Sequence, residues 1–311
     1  FDFGKLFSGA KEMQPRWKRV INSEESAMGE LLGQLYVKKY FDEKAKQRYS
    51  DLVENIRSTF KEHIEKLDWM SDSTKQKALA KLAAIHKKVG YPDKWKDFSA
   101  LKIGTESYVQ NLVNAAIFWH NYEINKLGKP VDKDEWDMYP QTYNAYYNPS
   151  NNEIVLPAGI FTVPGYMDNE LDDATVYGYA AASTIGHEIT HGFDDEGRQY
   201  DADGNLKNWW SKEDEEKFNT RSQRMIDQFS AYMPVDSMHI NGKATLGENI
   251  ADLGGIVLGW DAFKKTDQYK NNKPIAGLSP AKRYFLGYAL GWLGHTRDES
   301  LRNRLLTDVH S

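Results

Sequence analysis

Hydrophobic residues recur at three- and four-residue steps through the first third of the chain, and this spacing predicts amphipathic helices. The first predicted helix contains residues 52–67. A second helix is predicted after it, capped by Ser73 or Thr74 and closed by Gly90 and Pro92. A third apolar stretch, residues 109–119, predicts another helix before the next glycine and proline. The first and clearest run places six apolar residues on one helical face: Leu52, Val53, Ile56, Phe60, Ile64 and Leu67.

The pattern changes between residues 136 and 161. Aromatic and β-branched residues at 144–148 and 154–157 flank the Asn151-Asn152 pair, which predicts two short strands around an asparagine-rich turn. From residue 172 the chain is predicted to be helical again, with breaks at 192–204 and 271–280. The predicted fold is therefore mainly α-helical with a small β-sheet.

Composition narrows the possible function classes. The chain has 311 residues, of which 40% are hydrophobic, as expected for a globular protein with a substantial core. Its formal net charge of −5 disfavours a nucleic-acid binder, and the absence of cysteine excludes disulfide scaffolds and thiol catalysis. The lysine pairs at 38–39 and 87–88 are predicted to be solvated. The longest apolar stretch, residues 284–294, is about half of a membrane-spanning helix, so we expect a soluble chain without a membrane segment.

One short motif carries candidate chemistry. In Gly186-His-Glu-Ile-Thr-His191, two histidines lie one turn apart on a helix predicted to start near residue 172. His187 and His191 would face the same side and could bind one cation, with Glu188 beside them to take a proton from a water molecule. The alternative is a pair of helix-surface histidines next to an unrelated glutamate.

A catalytic zinc site needs a third protein ligand and one open position. The segment Thr245-Leu-Gly-Glu-Asn-Ile-Ala-Asp252 offers two carboxylates one helical turn apart. Glu248 would bind the metal, and Asp252 would accept the spare ring N–H of a ligand histidine. Thr245 and Glu248 also fit a helix capping box, which is the competing interpretation of these residues.

Taken together, the ordered motifs resemble those of the neprilysin family of zinc metallopeptidases, which includes endothelin-converting enzyme and bacterial oligopeptidases. The resemblance extends over nearly the whole chain. Its blocks are Gln14-Pro-Arg-Trp-Lys-Arg19, Gly90-Tyr-Pro-Asp93, Val131-Asp-Lys-Asp-Glu-Trp136, Asn144-Ala-Tyr-Tyr147, Pro157-Ala-Gly-Ile160, Gly186-His-Glu-Ile-Thr-His-Gly-Phe-Asp-Asp195, Gly247-Glu-Asn-Ile-Ala-Asp252 and Thr307-Asp-Val-His-Ser311.

The resemblance implies a fold, an activity and a location. Residues 131–311 would form a thermolysin-like zincin catalytic domain of the gluzincin type, and residues 1–130 a remnant of the family's helical cap with its connection. The chain would be a zinc-dependent endopeptidase or oligopeptidase that acts on small peptides and prefers a hydrophobic residue after the scissile bond. The absence of cysteine fits a bacterial chain, and the resemblance implies a location outside the cytoplasm, either periplasmic or secreted.

The resemblance also assigns the chemistry to particular residues. One Zn²⁺ per chain would be bound by His187, His191 and Glu248. Glu188 would be the general base, and Asp252 would orient a ligand histidine.

The substrate-binding residues follow from the same resemblance. Asn144 and Ala145 match the family segment that hydrogen-bonds an extended substrate as an added strand. His310 matches the histidine that stabilises the oxyanion of the tetrahedral intermediate. Ile160 and Trp292 match positions in the hydrophobic pocket for the side chain after the scissile bond, although by hydrophobic character alone both would be core residues.

The chain departs from its family in length. Family members are longer, and most of their helical cap lies upstream of the Gln14 block. We therefore expect either a second polypeptide that carries the upstream cap half, or self-association through the uncovered surface. The alternative function is a catalytic half-chain that is inactive alone and assembles with such a polypeptide. A structural metal protein is a further alternative, and it would need a fourth protein ligand.

Overall fold

The computed structural model describes residues 2–311 as a mainly helical fold with one small β-sheet, as the sequence predicts. The α-helices are Asp2–Ser8 (α1), Arg16–Tyr40 (α2), Glu43–Lys66 (α3), Asp72–Ala84 (α4), Tyr108–Ile124 (α5), Asp173–Val176 (α6), His187–His191 (α7), Lys212–Ser230 (α8), Leu246–Phe263 (α9), Asp267–Asn271 (α10), Pro280–Leu290 (α11) and Asp298–Thr307 (α12). A π-helical segment, Tyr177–Gly186, joins α6 to α7. The strands are His86–Gly90 (β1), Tyr146–Asn148 (β2) and Glu153–Pro157 (β3). Within residues 2–311, no helix is long and apolar enough to cross a bilayer.

Helix α3 confirms the helix predicted from the first apolar run. It begins after Asp42, whose carboxylate accepts a hydrogen bond from the backbone N–H of Ala45 at 2.9 Å. Such a cap satisfies one of the free N–H groups of the first turn. Val53 and Ile56 on the predicted face are fully buried, so this face packs into the core.

The predicted cap of the second helix is wrong. Ser71, and neither Ser73 nor Thr74, precedes α4, and its hydroxyl oxygen accepts a hydrogen bond from the backbone N–H of Thr74. The same hydroxyl lies 2.5 Å from a carboxylate oxygen of Asp214 in α8 and donates to it. The capping residue is therefore held by a residue far away in the sequence, which the local pattern does not reveal.

The sheet contains one strand that the sequence pattern does not predict. Helix α4 ends at Ala84 and does not extend to the Gly90 break, because residues 86–90 leave it and pair with β3. β3 lies in the centre, with β1 parallel to it on one side and β2 antiparallel on the other. β2 and β3 are the two predicted strands. β1 reads His-Lys-Lys-Val-Gly, which lacks the apolar alternation typical of a strand.

The prediction that residues 87–88 are solvated is wrong for Lys88, which is 5% exposed. Its ammonium lies 2.8 Å from the carboxylate of Glu153, a buried residue of β3, and donates to the backbone carbonyl of Glu135 at 2.6 Å. A charged side chain can be buried when it is paired and hydrogen-bonded. This ion pair joins β1 to β3 and explains why a lysine occupies an interior position.

One hydrophobic core joins both halves of the chain. Side chains of α3 and α4 pack with those of β3, the π-helical segment and α9. The core therefore contains residues from both 1–130 and 131–311. The domain boundary between residues 130 and 131 stays a prediction.

Helix α9 approaches the helix that leads into α7 very closely. A Cβ atom on Gly255 of α9 would lie 2.2 Å from the backbone oxygen of Ala182 and 3.0 Å from the backbone nitrogen of His187. Because glycine has no Cβ, the two backbones can touch at this point. The contact sets how far the side chains of α9 lie from those of α7.

We expect Gly255→Ala to lower the free energy of unfolding by about 1–3 kcal/mol, because the added methyl group overlaps a backbone atom and the helices must separate. Alanine otherwise stabilises a helix over glycine by about 0.5–1 kcal/mol. Gly4→Ala in α1 is the matched control, since nothing lies within 4 Å of a Cβ there. Urea unfolding of the two variants measures the effect. Equal stability of both would contradict the close contact.

Candidate active site

The helix that carries the two histidines begins where the sequence predicts. Asp172 precedes it, and its carboxylate accepts a hydrogen bond from the backbone N–H of Thr175 at 3.0 Å. The helix continues through the π-helical segment into α7. His187 and His191 lie one turn apart, and their Nε2 atoms face each other at 3.0 Å. A π-helical turn often occurs near functional sites.

Helix α9 brings a carboxylate to the same point. Oε2 of Glu248 lies 3.3 Å from Nε2 of His187 and 3.6 Å from Nε2 of His191. Among the described residues, this buried oxygen has no hydrogen-bond partner. His187, His191 and Glu248 each offer one ligand atom, and these three atoms lie within 4.8 Å of one another. Two imidazoles and one carboxylate form a donor set of catalytic zinc sites, and a buried carboxylate oxygen without a partner fits a bound cation.

The second nitrogen of each imidazole contacts another carboxylate. Nδ1 of His187 lies 3.0 Å from Oδ1 of Asp252, and Nδ1 of His191 lies 2.7 Å from Oδ2 of Asp194. Such bonds favour a proton on Nδ1 and direct the lone pair of Nε2 toward a metal. The contact of Asp252 with His187 is the one expected from the spacing of Glu248 and Asp252. Sequence reasoning missed Asp194, whose one local signal is its place three residues after His191.

The capping box that competes for Glu248 does not form. Thr245 precedes α9, but its side chain makes no capping hydrogen bond. Its hydroxyl donates to the backbone carbonyl of Asn241 at 3.2 Å. The carboxylate of Glu248 faces the two histidines, so this alternative interpretation is wrong.

The surrounding carboxylates favour a positive charge at the histidines. Burial opposes protonation of His187, but the hydrogen bond to Asp252 and the nearby carboxylate of Glu248 outweigh it and raise its pKa to about 9. Burial also opposes protonation of His191, while Asp194 and Glu248 raise its pKa to about 10. Burial disfavours the charged form of Glu248, yet the two histidines beside it hold its pKa well below the usual value. This charge balance suits a cation.

Glu188 lies beside this cluster and lines a cleft of about 540 Å³. Its side chain is buried, and burial raises the pKa of its carboxyl group, while the charges on His187 and His191 oppose this shift. A carboxyl group with a raised pKa is better suited to take and return a proton near neutral pH. Its chemistry would be available to a molecule in the cleft.

The cleft gathers the remaining predicted residues. Asn144, Ala145, Ile160, Trp292 and His310 all line it. Asn144 and Ala145 directly precede β2, which is an edge strand of the sheet. Trp292 is 55% exposed, so an assignment to the core from its hydrophobic character would be wrong.

His310 reaches the cluster from the end of the chain. Its Nε2 lies 3.3 Å from Oε2 of Glu248, and its Nδ1 lies 2.6 Å from Oδ1 of Asp308. The hydroxyl of Ser311 donates to the side-chain oxygen of Asn249 in α9 at 2.9 Å, which ties the last residues to the helix that carries Glu248. Sequence reasoning missed both Asp308 and Asn249. Asp308 has a local signal, since it stands two residues before His310.

Two family models match the chain, and both are described as peptidase family M13. One matches residues 144–311 and the other matches residues 1–92. The first match contains every residue of the candidate site.

Curated relatives match along nearly the entire chain. Neprilysin-11 of Caenorhabditis elegans is 35% identical over 323 residues, which cover 100% of this chain and 38% of the relative. Endothelin-converting enzyme 1 of Mus musculus is 35% identical over 319 residues, which cover 98% of this chain and 41% of the relative. The chain thus spans about two fifths of the length of these relatives.

Solved structures share the fold. The crystal structure of the Mycobacterium tuberculosis zinc metalloprotease ZMP1 in complex with an inhibitor matches with a TM-score of 0.90 and 42% identity, over 99% of this chain and 47% of that one. PepO from Lactobacillus rhamnosis matches with a TM-score of 0.85 and 29% identity, over 99% of this chain and 48% of that one. These neighbours confirm the expected thermolysin-like zincin fold. Because one family model covers more than half of its residues and curated relatives match it nearly end to end, this chain belongs to peptidase family M13.

Proposed function

We propose that this chain is the catalytic part of a zinc-dependent peptidase that hydrolyses small peptides outside the cytoplasm. The proposal rests on one observation: ligand atoms of His187, His191 and Glu248 lie close together, and the Oε2 atom of Glu248 is buried and has no hydrogen-bond partner among residues 2–311. Nδ1 of each imidazole already contacts a carboxylate, so each Nε2 is available to a metal. Similarity to a structure described as a zinc metalloprotease supports zinc over other cations.

The three residues would hold one Zn²⁺ per chain. A bound zinc ion supplies Lewis acidity, which polarises a carbonyl group and lowers the pKa of water. Glu188 accepts a proton from the attacking water and passes it to the leaving amine. With a proton on each ring nitrogen, His310 donates from Nε2 to the oxygen that gains negative charge, while its Nδ1–H is held by Asp308.

The edge of the sheet supports binding of an extended peptide. Asn144 and Ala145 lead into β2, whose outer edge is not paired with another strand of the described sheet. An extended peptide can add to such an edge through main-chain hydrogen bonds. Ile160 and Trp292 line the same cleft and offer apolar contact to the side chain after the scissile bond. This arrangement supports a preference for a hydrophobic residue there.

A second candidate function is a half-enzyme that needs a partner. Only Ala115 of the 17 residues of α5 is buried, whereas Val109 is 67% exposed and Ile117 is 54% exposed. Leu286 and Leu293 are exposed as well, and Leu293 directly follows Trp292, which lines the cleft. Extended apolar surface of this kind favours an interaction site. The partner would be a polypeptide carrying the family's upstream cap half, or a second copy of this chain.

We expect Glu188→Gln to retain zinc and to lose peptidase activity by roughly 10²–10⁴-fold, because glutamine keeps the shape of the side chain but cannot accept the proton. Glu213→Gln, at an exposed position of α8, is the control and should leave activity unchanged. Zinc content and cleavage of a quenched fluorescent peptide are measured on both variants. Turnover near the wild-type rate in Glu188→Gln would rule out the assigned base.

We expect Glu248→Ala to lose zinc, because a metal ligand is removed, and Asp252→Ala to weaken zinc binding by only about 10–100-fold, because it removes an orienting contact. Asp261→Ala is the matched control. Asp261 lies on the same helix and contacts His63 at 2.7 Å, away from the cleft. Competition with a chelator measures the three affinities. Normal zinc binding by Glu248→Ala would disprove its role as a ligand.

The half-enzyme alternative makes a separate prediction. Light scattering should show self-association of the isolated chain, or its binding to an added cap polypeptide, and that polypeptide should raise peptide cleavage. Ile117→Glu should weaken the association by placing a charge on the apolar surface, whereas Gln110→Glu on the same helix should not. A monomer that is fully active and indifferent to the added polypeptide would eliminate the alternative.

A further inference from the structure

A buried lysine connects α4 to the turn that follows His191. Lys81 is 1% exposed, and its ammonium donates to the backbone carbonyls of Gly197 and Tyr200, both at 2.7 Å. The same nitrogen lies 5.7 Å from the centre of the Phe193 ring, within the range of a cation–π contact. Burial lowers the pKa of Lys81 to about 8, so the ammonium persists at neutral pH. A buried charge whose hydrogen-bond acceptors are backbone carbonyls holds that backbone in place.

The carbonyls belong to the turn that holds Asp194. Oδ1 of Asp194 accepts hydrogen bonds from the backbone N–H groups of Glu196 at 3.0 Å and Gly197 at 2.7 Å. Its other oxygen contacts Nδ1 of His191. Gly197 is thus held on both sides, since Asp194 binds its N–H and Lys81 binds its carbonyl.

The turn also packs against the end of α7. A Cβ atom on Gly197 would lie 1.7 Å from the backbone oxygen of His191, so the turn can take this path only with glycine at that position. A small displacement of Gly197 therefore moves the donors that fix Asp194. The ring of His191 would follow the carboxylate that it contacts.

We propose that Lys81 is a positioning residue for the candidate metal site: it holds the turn that fixes Asp194, and Asp194 fixes the ring of His191. Lys81 acts through the backbone carbonyls and not by contact with the ring. Its removal takes a charged donor from each of two buried carbonyls. Gly197 then keeps only the backbone N–H of Tyr200 at 3.1 Å, and Tyr200 keeps only Nε1 of Trp209 at 2.9 Å, so the turn is held less firmly. The inference rests on the proposed zinc site.

Lys81→Met tests the inference, because methionine keeps an apolar stem and removes the charge and its donors. We expect zinc affinity, measured by competition with a chelator, to fall by about 10–100-fold, the range seen when a contact that orients a ligand histidine is lost. Lys77→Met is the matched control. Lys77 lies one turn earlier on α4 and donates to the carbonyl of Trp209 at 3.1 Å. The control should bind zinc as the wild type does.

A double-mutant cycle separates positioning from a general loss of stability. If Lys81 acts through Asp194, Lys81→Met will weaken zinc binding much less in the Asp194→Ala background than in the wild type. An equal loss in both backgrounds would overturn the inference. Lys81→Arg retains a cation and should bind zinc more tightly than Lys81→Met. Lys81→Gln replaces Lys81→Met in the cycle if the methionine variant does not fold.

A spectroscopic measurement needs no metal. In metal-free protein labelled with ¹⁵N-histidine, the Nδ1 proton of His191 should give a hydrogen-bonded signal in the wild type and in Lys77→Met. The signal should shift or disappear in Lys81→Met, and an unchanged signal would contradict the inference. Zinc stoichiometry of the wild type distinguishes the two failures. A wild-type chain that binds no zinc overturns the proposed function, whereas zinc in the wild type with unchanged affinity in Lys81→Met overturns this inference alone.

Discussion

The contact between α9 and the helical run from α6 to α7 determines the geometry of the whole site. Where α9 passes Gly255, its backbone touches the backbone that leads into His187. Along α9, Glu248 and Asp252 lie one turn apart, so a single helix presents both the third candidate ligand and the carboxylate that contacts the first histidine. The close approach of the two backbones brings these side chains to hydrogen-bonding distance.

Charge balance explains why so many carboxylates surround three histidines. Asp252, Asp194 and Asp308 each contact the Nδ1 atom of one histidine, while Glu248 faces their Nε2 atoms. Each ring is thereby held in one orientation, and the excess of negative charge favours a cation beside Nε2 of His187 and Nε2 of His191. Lys81 of α4 binds the turn that holds Asp194, so contacts around the site extend into the first third of the chain although α4 does not line the cleft.

The small sheet links the fold to the cleft. β3 is central and buried, which leaves β2 as an edge strand beside the candidate catalytic residues. The segment before β2 can therefore serve both the fold and a bound peptide. A strand that is exposed on one side and anchored by a buried partner on the other provides a rigid surface for an extended ligand.

Features that depend on local spacing follow from the amino-acid sequence alone. The apolar faces of α3, the β2–β3 hairpin and the histidine pair one turn apart all follow from residues close together in the chain, where geometry is set by the backbone period. Glu248, Asp252 and His310 were also reached from sequence, through motif spacing and family resemblance. Features whose partners are distant in sequence depend instead on the folded arrangement of the chain. Strand β1 exists because β3 lies beside it, Ser71 caps α4 while it binds Asp214, and Lys88 is buried because it meets Glu153. The roles of Asp194 and Lys81 likewise depend on a folded turn that brings α4 to the end of α7, and no local pattern of residues encodes that contact.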